Sequence, residues 1–213
     1  MPNEPLIDAL AADLAPVRPR RTGRELLALA GIGAVELTLV LLLGGARPDI
    51  GVAMLLPSFW WKLLGLAALS AIGVVTAVRS FEPASSPRRG LLLLALAVGF
   101  VLAVGWAIDG GDAVAMPLAE RLMWRHGVDC VFRMAVLSIP AIVALGLLMQ
   151  RGAPTDRRAS ALAVGAASAA WGAFVFAFNC PSDDPLYIAF WYCLGCAVVT
   201  LIGRLALPAI TRW

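Results

Sequence analysis

Residues Glu25 to Gly45 read ELLALAGIGAVELTLVLLLGG. The run is almost wholly apolar, and its length suits an α-helix crossing about 30 Å of hydrocarbon, which takes about 20 residues. Five similar runs follow, at about Phe59 to Val78, Leu91 to Ile108, Val128 to Met149, Ser160 to Phe178 and Leu186 to Leu207. Of the 213 residues, 61% are hydrophobic and 15% charged, and the mean hydropathy is +0.85. A soluble domain carries roughly 25% charged residues. The fold expected is therefore all-α: a polytopic membrane protein of six transmembrane helices, lying in the lipid bilayer. No basic stripe points to direct nucleic-acid contact. No nucleophile–base constellation or phosphate loop points to an enzyme.

The first run is too long for the apolar core of a removable signal peptide, and acids precede its arginines, so it is expected to stay as an anchor. Twelve Lys and Arg residues fall on the side of the N-terminus, from Arg18 to Arg24 and then in every second loop. Five fall on the other side: Arg47, Lys62, Arg121, Arg125 and Arg133. The positive-inside rule then places both termini in the cytoplasm. Trp60, Trp61, Trp106, Trp124 and Trp191 fall near span ends, where interfacial belts form. Pro140 should kink the fourth span. Gly165, Ala169 and Ala173 repeat every fourth residue in the fifth span, a face suited to close helix packing. The loops look too short to fold; only the third-to-fourth connection, about Asp109 to Gly127, has length to spare, and it lies on the outer side.

Ahead of the first span lies LIDALAADLAPVRPRRTGR, Leu6 to Arg24. Leu6, Ile7, Leu10 and Leu14 share one helical face, with Asp8 and Asp13 elsewhere, and Pro16 and Pro19 stop the helix. A helix of about ten residues is marginal alone in water and needs its apolar face covered. A membrane-surface helix usually carries Lys or Arg on its polar side. Here Glu4, Asp8 and Asp13 occupy it, so a protein groove fits better than anionic lipid. The plainer reading packs the helix on its own membrane domain. Residues 1–24 thus form one candidate unit and residues 25–213 another.

Cys130 lies at the outer end of the fourth span and Cys180 in the outer loop FNCPSDDP. The topology allows a disulfide between them without requiring one; the alternative is two unpaired thiols. His126 stands four residues before Cys130. With Cys180 and Asp183 or Asp184 it could complete a soft-plus-hard metal site, though a lone interfacial histidine is more often merely solvated. No cofactor is expected. Cys193 and Cys196 form a C-x-x-C inside the sixth span, where buried cysteine usually behaves as a small hydrophobe. That motif keeps alive a rival reading, a quinone-linked thiol oxidoreductase also using Cys130 and Cys180. Glu36, near the middle of the first span, is read as a polar contact between helices. A transporter should show more such groups across several spans.

Three stretches, LIDALAADLAPVRPRR, CVFRMAVLSIP and NCPSDDPLYIAFWY, resemble in order and spacing the negative regulator of sigma-F family of bacterial membrane anti-sigma factors. The GARPD turn after the first span and RGAP after the fourth fit as well. The resemblance implies an inner-membrane protein whose cytoplasmic N-terminal segment holds an extracytoplasmic-function sigma factor away from RNA polymerase and releases it on periplasmic stress. Within that segment the expected sigma-factor contacts are Leu6, Ile7, Asp8, Leu10 and Leu14, with Arg18, Arg20 and Arg21 either adding to them or fixing the topology. It implies signal sensing at Cys130 and Cys180, and gives Cys193 and Cys196 no role.

Overall fold

The computed structural model describes residues 12, 21–45, 47–109 and 117–210. The amphipathic stretch from Leu6 to Leu14 lies outside the described residues except for Ala12, as do Arg18 and Arg20. Among the described residues every regular element is helical: α1 Thr22–Leu43, α2 Ile50–Ala53, α3 Pro57–Arg79, α4 Arg88–Asp109, α5 Leu118–Leu122, α6 Trp124–Leu137, α7 Ile139–Arg151, α8 Arg157–Ala177 and α9 Pro185–Ile210. Counting α5 to α7 as one span, six of these stretches are long and apolar enough to cross a membrane.

The element ends follow from local chemistry. Pro57 opens α3, where its missing N–H is no loss. Asp156 caps α8 by accepting from Ala159 N at 3.0 Å. Pro140 cannot donate to the helix ladder, and the fourth span divides at Ser138 into α6 and α7. Ser138 Oγ donates to Met134 O at 2.8 Å. Gly172 of α8 sits against that break; a Cβ there would lie 2.2 Å from Ser138 Oγ. The loop after α1, expected to be too short to fold, carries the single turn α2, and the longer third-to-fourth connection carries the short helix α5.

The bundle is built around α8. Its small residues Ala161, Ala163, Ala167, Ala169 and Ala173 are all buried, and its widest contacts are with α9 and α3. Backbones approach closely on both sides. A Cβ at Gly165 would lie 2.8 Å from Thr200 O of α9, and one at Gly73 of α3 would lie 2.8 Å from Ala167 Cα. In lipid such approach replaces a hydrophobic drive with dispersion contact. By contrast, α1 has one buried residue, Gly33.

Two sets of polar links mark the ends of the bundle. At the end where α1 begins, Thr22 Oγ1 donates to Glu82 Oε1 at 2.8 Å, and Ala153 N donates to Phe81 O at 3.1 Å. At the opposite end the loops after α1 and α8 are stitched together: Arg47 N donates to Phe178 O at 3.1 Å, and Asn179 Nδ2 to Gly45 O.

Candidate functional site

The opposite end holds the densest polar structure in the described chain. Cys180 follows α8, in the loop that leads to α9, and Cys130 lies one turn and a half into α6. Both thiols are free and buried. They share one cluster with Met134, Phe176, Tyr187, Trp191 and Tyr192. Cys130 Sγ and Tyr187 Oη are 3.0 Å apart. The packing that brings them together depends on a missing side chain: Gly127, one turn before Cys130, leaves room for the Trp191 indole, which a Cβ would meet at 1.9 Å. Trp191 Nε1 in turn donates to Leu122 O at 2.7 Å, fixing α5 to α9.

A cationic clamp holds the Cys180 loop. Lys62 of α3 is 1% exposed and Arg47 is 4% exposed. Lys62 Nζ donates to Asp183 Oδ1 at 2.6 Å and to Ser182 O at 2.9 Å. Arg47 Nη1 donates to Asp183 Oδ2 at 2.6 Å and to Cys180 O at 3.2 Å, while Nη2 reaches Pro181 O at 2.9 Å. Arg47 also pairs with Asp49 at 2.6 Å. Asp183 therefore answers two buried cations, and Asp49 and the loop carbonyls take the remaining donors, as buried charge requires. Next to it, Arg121 pairs with Asp184 at 2.6 Å and Asp109 at 2.5 Å. Asp184 Oδ1 also accepts from Leu186 N at 2.8 Å, capping α9.

The electrostatics follow. The Cys180 thiol is held below the usual thiol range, first by hydrogen bonding with Cys130 and next by the charge of Lys62, against the opposing effect of its own burial. Asp49 is held down to about 2 by its hydrogen bond with Arg47. Burial works against ionisation of Asp184, but Arg121 and the α9 amides prevail and lower it.

The structure unites some expected residues and separates others. Cys130, Cys180 and Asp183 occupy one site. His126 sits on the same helix as Cys130 but is exposed, and Asp183 is committed to Lys62 and Arg47. Among the described residues no group of three or more His, Cys, Asp and Glu side chains is placed to hold a metal ion. Arg21 is exposed at the start of α1, without a side-chain cap bond. Trp191, expected in an interfacial belt, is 1% exposed and part of the core, because Gly127 opens a slot for it. Cys193 is exposed and Cys196 partly buried on α9. Glu36 does contact another helix: Trp171 Nε1 of α8 donates to its Oε2 at 2.8 Å, while Thr38 bonds back to Ala34 O of its own helix.

In the sequence, Arg47 and Lys62 serve only as topology markers; the structure gives them the clamp. A lysine within an apolar run, as in FWWKLLG, is the sign that points to it, since such a charge needs a partner.

A family model described as negative regulator of sigma F matches residues 10–213. The chain belongs to the negative regulator of sigma F family. It is 37% identical over 219 residues to the anti-sigma-F factor NrsF of Caulobacter vibrioides (strain NA1000 / CB15N), and each chain is covered in full. It is 30% identical over 217 residues to the probable anti-sigma-F factor NrsF of Azospira oryzae (strain ATCC BAA-33 / DSM 13638 / PS), again over the whole of both. No solved structure matches. Membership of the negative regulator of sigma F family makes this chain an anti-sigma factor, a regulatory protein whose partner is a sigma factor. The six membrane-capable helices among the described residues agree with a multi-pass membrane protein.

Proposed function

We propose that this anti-sigma factor holds a sigma factor of the extracytoplasmic-function class at the cytoplasmic face of the inner membrane and releases it on a periplasmic signal received at Cys130 and Cys180. Residues 1–24 are the binding segment and residues 25–213 the sensor and anchor. The apolar face of Leu6, Ile7, Leu10 and Leu14 enters a groove on the sigma factor, flanked by Asp8. Arg18, Arg20 and Arg21 favour cytoplasmic termini through their charge and can add contacts to an acidic rim of the groove. Burying each large aliphatic side chain contributes roughly 1.5–3 kcal/mol before ordering costs, enough for four of them to hold a partner.

The observation that carries the sensing half is the meeting of two buried thiols from different helical hairpins, with a lysine beside one of them. Chemistry at that pair changes how α6 packs on α8 and α9. To act as a switch it must favour one arrangement over another; a coupling of about 1–3 kcal/mol alters affinity about 5–150-fold.

The test is a pulldown from native membranes with the wild-type chain, a chain lacking residues 1–20 and Leu10→Asp. Only the wild type should capture a sigma factor; equal capture by Leu10→Asp would sink the groove. Cys130→Ser with Cys180→Ser should leave capture intact and abolish stress release, whereas normal release would remove the thiols from the mechanism.

A further inference from the structure

Glu36 and Trp171 border a cavity that the sensing site does not use. It has a volume of about 320 Å³ and lies between α1, α3, α7 and α8. Its walls are largely apolar, with Leu29 of α1, Ala67 and Ala71 of α3, Ala144 of α7 and Phe174 of α8, and Ser70 of α3 adds a hydroxyl-bearing residue. Glu36 is the one ionisable group among the lining residues. Its Oε2 takes the Trp171 indole N–H at 2.8 Å. Its Oε1 is buried and has no hydrogen-bond partner among the described residues.

A carboxyl deep in a membrane-spanning helix is costly, and an unpaired buried oxygen adds to that cost. The arrangement is also a built one. Gly33, one turn before Glu36, lets the Trp171 ring lie against α1, since a Cβ there would meet the ring at 2.7 Å. Trp171 then fixes one carboxyl oxygen and leaves the other over. The last torsion of a glutamate is broad, so Oε1 can turn to the cavity without leaving a rotamer. Small-molecule sites have this composition: apolar walls, a volume from about 300 Å³ upward, and a few placed polar groups.

We infer that this cavity binds an uncharged, membrane-dissolved molecule with a compact apolar body and a hydroxyl head, of the phenol or alcohol class, with Glu36 Oε1 as its hydrogen-bond partner. A hydroxyl is the head that suits this oxygen in either protonation state, because it donates to a carboxylate and accepts from a carboxylic acid. A charged head would be excluded by the apolar walls, and a plain hydrocarbon would leave Oε1 unpaired. Because α1 has one buried residue, a molecule seated beside Glu36 acts on the helix that leads to residues 1–21. That consequence rests on the proposed function; binding does not, and is read without a sigma factor.

The probes are 4-pentylphenol and 4-pentyltoluene, which share a shape and differ by hydroxyl against methyl. The full chain, labelled with ¹⁵N at its tryptophan indoles, is placed in phosphatidylcholine nanodiscs. The Trp171 indole resonance is assigned by its loss in Trp171→Phe. The phenol should shift that resonance saturably and bind roughly fivefold more tightly than the toluene at equal membrane mole fraction, the size of one net hydrogen bond. Ala144→Phe, which fills the cavity and leaves Glu36 and Trp171 in place, should abolish the shift. Equal responses to the two probes, no saturable shift in the wild type, or an unchanged shift in Ala144→Phe would each overturn the site. The wild-type comparison of probes decides the matter even where the filled variant does not fold.

Discussion

Helices α1 and α8 have nearly the same length, 22 and 21 residues, and both are apolar enough to span. Yet 72% of the apolar window of α8 is buried and only 6% of that of α1. The difference lies in side-chain size. The interior faces of α8 are alanine, glycine and serine, which let α3 and α9 approach to backbone contact. Exposed positions of α1 carry Leu27, Ile32, Val35, Leu39 and Leu42, side chains suited to lipid tails. In a membrane, large aliphatics gain nothing by choosing protein over lipid, whereas small residues gain contact only from another helix. Hydropathy ranks them the wrong way for burial: α1 scores 2.4 and is bare, while α8 scores 1.6 and is covered. The comparison also separates duties: α8 is the fixed post to which the thiol loop is attached, and α1 is a lightly held arm that leads toward residues 1–21.

The strongest way to sharpen the contrast is at the fixed end. Asp183→Ala leaves Lys62 and Arg47 buried without their shared carboxylate, and removing one side of a buried ion cluster costs about 3–5 kcal/mol. Thermal unfolding in detergent should report that loss. Asp49→Ala, which removes a half-exposed partner of the same arginine and leaves Asp183 in place, should cost clearly less. Equal losses in the two would mean that burial is not what makes the clamp matter.

Next in size is the packing itself. Gly165→Leu puts a side chain where a Cβ would already lie 2.8 Å from Thr200 O, and such overpacking costs about 1–3 kcal/mol. Gly31→Leu on α1 meets nothing within 4 Å and should unfold at or slightly above the wild-type temperature. If Gly31→Leu were the more damaging, the reading of α1 as an arm would fail.

A smaller effect is read in the chemistry of the thiol. Lys62 favours the thiolate of Cys180, after Cys130 itself. Lys62→Met should therefore raise the Cys180 pKa. Alkylation of Cys180 by a small reagent, followed by mass spectrometry across pH, should need higher pH in the variant and run more slowly at neutrality. The clamp would be merely structural if the two pH profiles coincided.

How much of this could be read from residues depends on the range of the cause. The spans, the break near Pro140 and the close-packing face around Gly165 all have local origins, and all are present. Cys130 and Cys180 were legible as two thiols at one end of the bundle, because alternating spans place them there. Their burial together was not, since it depends on Gly127 admitting Trp191 from another helix. The Asp183 clamp joins residues 136 and 121 positions apart, so no window of sequence contains it. Trp191 shows the ambiguity of indoles: a polar N–H on an apolar ring suits both a membrane interface and a core slot with one carbonyl.

The smallest predicted effect tests how α1 is held. Trp171→Phe removes the N–H that Glu36 Oε2 accepts and leaves two carboxyl oxygens without that donor. In water-soluble cores such a loss costs about 1–3 kcal/mol. Here a loosely packed helix can tilt and offer Glu36 another partner, and interhelical hydrogen bonds in membranes average about 0.6 kcal/mol. The loss should stay near that lower figure, and Glu36→Leu combined with Trp171→Phe should recover most of it, since replacing both partners by apolar groups is nearly neutral. Distances between spin labels on α1 and α8 should broaden in Trp171→Phe while those between α8 and α9 stay sharp. A cost as large as that of Gly165→Leu, or broadening at both helix pairs, would show that α1 belongs to the core, and the division between post and arm would be gone.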